Sequence, residues 1–186
     1  MKESENVKTT KIKFMRSAKE CAYLAVFVAL VIAVQVALSI VPGVELVTVM
    51  FIAYSFTLGA RRGMISATAF SLLRQIVFGV YPVVLVLYLI YYNLLALCFG
   101  FLGQKFKNPI KWFVLIIVIA CVLTVLFTMI DNVLTPCWYG YSKELTIIYF
   151  KASLTFLVPH VICTAVSVGA LFFPLFKVFY KLKLTL

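Results

Sequence analysis

Long, uninterrupted apolar runs dominate this chain. Met50 to Ala60, Pro82 to Gly103 and Phe113 to Ile130 contain no charged residue, and their apolar positions are contiguous rather than alternating. A helix that crosses lipid hydrocarbon needs about 20 such residues. The breaks between runs predict six helices, at about 20–41, 45–60, 64–80, 83–103, 112–133 and 147–176. Pro42-Gly43 ends the first, Arg61-Arg62-Gly63 the second, and Gly79 with Pro82 the third. Lys105, Lys107, Asn108, Pro109 and Lys111 form the fourth loop. Residues 134–146, with Pro136, Trp138, Gly140 and Tyr141, read as an ordered aromatic loop, and Pro159 predicts a break or kink in the last helix. The first apolar run continues to Val41, too long for a signal-peptide core of about 7–15 residues. It reads as an uncleaved helix behind a basic tail, residues 1–19.

Six spans would use about 120 of the 186 residues, which leaves room for one membrane domain and no separate soluble one. Composition agrees. The chain is 65% apolar and 12% charged, against about a quarter charged in soluble domains. The net charge of +11 raises the question of nucleic acid. The basic residues, however, sit at the ends of apolar runs, which is membrane topology. Six lie in the tail, two at 61–62, three at 105–111 and three after 176, so 14 of the 17 fall on one face. Basic loops stay on the cytoplasmic side. The expected fold is therefore an all-α bundle of six transmembrane helices with both termini cytoplasmic, multi-pass in the plasma membrane of a bacterial cell.

The candidate chemistry collects towards the other face. Glu45 and Thr48 open the second helix, Arg74 lies about 9 Å below the outer end of the third, and Asp131-Asn132 end the fifth. Lys151 and His160 lie in the outer part and middle of the sixth. Tyr81, Tyr88 and Asn93 mark the fourth, and Trp138 decorates the outer loop. A charge inside hydrocarbon costs about 2.5–3.5 kcal/mol on insertion scales and therefore usually faces a cavity or a partner. A channel or proton relay would carry such groups through the full depth, which this chain does not. A pocket open outward and closed beneath fits better, lined by Glu45, Arg74, Tyr81, Tyr88, Asn93, Asp131, Trp138, Lys151 and His160. Arg74 and Lys151 point to an anionic group on the ligand. The same residues have plainer readings: interface charges that snorkel, an aromatic belt, a helix-bridging His160, an Arg74 paired with Glu45 or Asp131.

The five cysteines form no C-x-x-C and the single His has no neighbouring ligand, so no metal centre is expected. G-x-x-x-x-G-K-[ST], H-E-x-x-H and a Gly-x-Ser-x nucleophile with His are absent, so neither an ATP site nor an intramembrane enzyme is expected.

The first helix carries Ala25, Ala29, Ala33 and Ala37 at four-residue spacing, a small-residue face that lets another helix approach closely. That face could pack inside the chain's own bundle or receive a partner. With its length, six expected helices, cytoplasmic termini and Ala25-x-x-x-Ala29-x-x-x-Ala33, the chain resembles the substrate-binding S subunits of energy-coupling-factor (ECF) importers. Glu45-Leu46-Val47-Thr48 with Tyr54 and Gly59, and His160 after Pro159, look like a poorly characterised branch of that family. That branch often has a carboxylate near the position of Arg74. The resemblance implies capture of a vitamin-like micronutrient at the outer face, and docking of the alanine face on a membrane T subunit. It further implies toppling in the bilayer and ATP hydrolysis by two partner ATPases, with no cofactor of its own. Two other readings stand beside it: a non-catalytic membrane scaffold of the MreD cell-shape type, or a stand-alone small transporter.

Overall fold

A computed structural model describes residues 18–39, 46–106 and 108–185. Among these the chain is all-helical: α1 (Ala18–Leu38), α2 (Val47–Leu58), α3 (Ala60–Phe78), α4 (Pro82–Lys105), α5 (Phe113–Tyr139) and α6 (Lys143–Thr185). Four of them, α1, α4, α5 and α6, are long and apolar enough to cross a membrane, which fits a multi-pass membrane protein. Glu45 and most of the basic tail lie outside the described residues.

The core is built on α2. Every residue from Val47 to Leu58 is buried, as expected of a helix that is apolar all round. It packs on α6, α4 and α3, and more lightly on α1, while α5 closes the bundle between α4 and α6. Interlocked rings cement these seams: Phe27 stacks on Tyr54 at 3.9 Å and meets Phe179 edge-on, and Phe56 meets Phe172 edge-on. The buried hydroxyls of Thr57, Ser71 and Thr124 donate to the carbonyl four residues back in their own helices. That satisfies each within its own helix, and Thr124 also shares a hydrogen bond with Thr164 of α6 (3.1 Å).

The helix ends depart from the punctuation of the sequence. Arg61-Arg62-Gly63 does not stop a helix but forms the first turn of α3. The reversal between α2 and α3 needs only Gly59, at φ 93° and ψ 163°, a conformation open mainly to glycine. The aromatic segment after residue 133 is largely helical: α5 runs through Pro136 to Tyr139. It closes where Gly140 turns left-handed and the Tyr141 N–H bonds the Pro136 carbonyl, a Schellman closure. α6 spans 43 residues and continues through both Pro159 and Pro174.

Pairings between helices define two ends. At one, Arg62 of α3 forms an ion pair with Glu20 of α1, and Lys19, Arg61, Lys105, Lys111, Lys177, Lys181 and Lys183 sit near the same helix ends. At the other are the ends of α1, α3 and α5 that carry Gln35, Arg74 and Asp131, and the starts of α2, α4 and α6. Arg74 is half-buried there, and Lys143 and Lys151 are exposed.

Candidate functional site

The candidate site lies at the end away from the basic cluster and is built in two levels. The lower level is a floor of touching rings. Phe51 of α2 contacts Phe70 of α3 (5.3 Å) and Tyr92 of α4 (5.0 Å). Tyr92 meets Tyr88 and Tyr91 (5.2 and 5.0 Å), and Tyr91 reaches Phe127 of α5 (4.8 Å). Tyr91 and Tyr92 are fully buried, so the floor is closed to the hydrocarbon beneath.

Above that floor, about one turn further along each helix, stand polar groups that no other described residue satisfies. Thr48 is one turn above Phe51, Arg74 and Gln75 one turn above Phe70, and Asn132 a little more than one turn above Phe127. Thr48, Gln75 and Asn132 are 1%, 5% and 7% exposed. Yet Thr48 Oγ1, Gln75 Nε2, Arg74 Nη1 and both amide atoms of Asn132 are buried with no hydrogen-bond partner among the described residues. An unmet buried polar group costs about 1–3 kcal/mol. Four residues at that cost would consume a large part of a typical 5–15 kcal/mol stability. They therefore call for a partner beyond the described residues, and water or a solute supplies one.

Arg74 is held ready for such a partner. Its Nε donates to Gln35 Oε1 of α1 (3.1 Å), and its guanidinium lies 4.6 Å from the Phe78 ring centre and 4.5 Å from that of Tyr88. Gln35 in turn donates to the Tyr88 hydroxyl (3.3 Å). Two aromatic rings thus hold the guanidinium by cation–π contact, which is strongest where water is excluded; of the two carboxylates that could have paired with it, Glu45 lies outside the described residues. Asp131, the other, is engaged elsewhere: its two oxygens accept hydrogen bonds from Thr135 and Tyr149, each at 2.7 Å.

Asp131 and His160 share a hollow, of about 300 Å³, between α5 and α6, with Thr128, Tyr149 and Ser153 in its wall. Phe127 also lines it, contacting His160 on this side and Tyr88 and Tyr91 on the other, so one ring separates the hollow from the aromatic floor.

The structure thus brings together Arg74 and Tyr88, and separately Asp131 and His160. It does not bring in the other candidates. Tyr81, Trp138 and Lys151 are exposed. Trp138 departs because its segment is the last turn of α5 rather than a loop folded over the site. Asn93 lies below the level of Tyr88, where it accepts a bond from Thr68 and donates to its own helix. Sequence reasoning puts Thr48 and Asn132 at the outer face but not in the pocket; the groups it left out are Gln35, Gln75, Tyr149 and Phe127. Gln35 had a signal, as the one amide in an otherwise apolar run. Tyr149 and Phe127 had none, since their roles depend on how α5 and α6 register.

The alanine face is also placed. Ala25, Ala29, Ala33 and Ala37 of α1 are all exposed, while Phe27, Val28 and Val31 carry the contact with the bundle. Among the described residues, no cluster of His, Cys, Asp or Glu could hold a metal ion. No family model, no curated protein and no solved structure matches the chain.

Proposed function

We propose that this chain is the substrate-capturing S subunit of an ECF-type importer, with six spans, both termini cytoplasmic, and its binding site at the outer end. The observation that carries the reading is the set of buried, unpartnered polar atoms above the aromatic floor, centred on Arg74. Such a set suits a small solute with a planar or apolar body and several hydrogen-bonding groups. The free Nη1 of Arg74 favours an acceptor, best a carboxylate. The rings beneath provide the apolar contact expected of a ligand pocket. The outward alanine face supports the second half of the reading, docking on a membrane T subunit that couples to two ATPases. Low polarity in the inner half would ease movement of the subunit through lipid.

Thermal melting of the purified chain against a panel of carboxylate-bearing micronutrients tests this. One compound should raise the melting temperature, and Arg74→Ala should remove the shift while leaving expression intact. A panel without any shift, or a shift that survives Arg74→Ala, would take Arg74 out of the site. A membrane scaffold would show no ligand-dependent shift at all.

A further inference from the structure

A second cavity, of about 480 Å³, opens at the opposite, basic end, where α2, α4 and α6 finish. It lies about 15 Å along α2 from Thr48, so it is no part of the capture site. Its walls divide by chemistry. Phe56, Leu58 and Phe176 are apolar; Gln104, Tyr180 and Lys183 bring an amide, a phenol and an ammonium, and none of the lining residues is acidic. At this end the one carboxylate among the described residues, Glu20, is held by Arg62. Exposed Arg61, Lys105, Lys177 and Lys181 flank the cavity in sequence and add to its positive field.

We infer that this cavity binds the headgroup of an anionic phospholipid. The phosphate would meet Lys183 with Gln104 and Tyr180 as further donors, and the glycerol and upper acyl carbons would lie against Phe56 and Phe176. Charge complementarity selects the lipid: basic pockets between membrane helices on the cytoplasmic side suit anionic headgroups. The apolar wall favours a lipid over free phosphate, which would leave those rings against water. This site is independent of the capture reading; it requires that the chain sits in a membrane with its basic end at the cytoplasmic face.

The test is native mass spectrometry and melting of the full chain in nanodiscs of phosphatidylglycerol or of phosphatidylcholine. Phosphatidylglycerol should be retained preferentially, by about fivefold, the factor one basic side chain contributes near an anionic surface. Lys183→Gln should abolish that preference. Lys181→Gln, an equal charge change beside the cavity but outside its lining, should preserve it. Equal retention of both lipids would overturn the inference. So would equal losses in the two variants, or stabilisation by sodium phosphate alone that matches the lipid. Loss of lipid preference with the micronutrient shift intact would leave the capture reading standing, and the reverse result would separate them the other way.

Discussion

Arg74 concentrates the problem that a charge poses inside hydrocarbon. Its side chain has one amide partner, Gln35, and two aromatic faces, Phe78 and Tyr88. Arg74→Lys would keep the charge and lose the planar stacking and the fixed fork of donors, so it should bind ligand at least tenfold more weakly than wild type in a melting titration. Asn132 offers a sharper separation of stability from function. Its amide is buried and unmet, so Asn132→Leu should raise the melting temperature of the ligand-free protein while lowering ligand affinity. A loss of both would make Asn132 structural. Tyr149→Phe removes a donor from Asp131. It should cost about 1–3 kcal/mol, read as an earlier thermal transition in detergent. Charged residues inside long apolar runs are rare enough that Arg74 and Asp131 stood out in the sequence. Their partners did not, because Gln35 reaches Arg74 and Tyr149 reaches Asp131 only through the register of one helix against another.

At the scale of elements, helix centres were legible from apolar runs and helix ends were not. Arg61-Arg62-Gly63 looks like a stop, but one left-handed glycine completes the reversal before it and the arginines start the next helix. Pro136 looks like a break, but a proline in the last turn removes only one backbone donor, and the Gly140 closure completes the end. Close approach explains another glycine. The α-carbon of Gly100 in α4 lies so near the backbone of Ala60 that any β-carbon would overlap it. Gly100→Val should therefore push α4 from α3 and sharply reduce the folded yield, checked by monodispersity on size exclusion. The alanine stripe belongs to this scale too. Because its residues face away from the bundle, Ala29→Trp should leave ligand-dependent melting unchanged and abolish co-purification with membrane and ATPase partners. Retained partners would place docking elsewhere.

Polarity is lopsided across the described residues: basic side chains collect at one end, and five of the six unmet buried polar atoms, all but Ser55 Oγ, stand over an aromatic floor at the other. The helix α2, about 18 Å long, is shorter than the roughly 30 Å of hydrocarbon, and is tolerated because protein rather than lipid surrounds it. Its burial could not be read from composition, since a central helix and a lipid-facing one are equally apolar. Two native cysteines report on orientation. Cys21 near the basic end and Cys137 near the other are both exposed. In intact cells, a membrane-impermeant maleimide should label Cys137 and spare Cys21. The most direct measurement is mass spectrometry of small molecules retained after gentle purification in mild detergent, for wild type and Arg74→Ala side by side. The account predicts one micronutrient-sized compound, near one per chain, in the wild type and its loss in the variant. A wild-type protein that emerges empty, or a compound held equally by both, would contradict it.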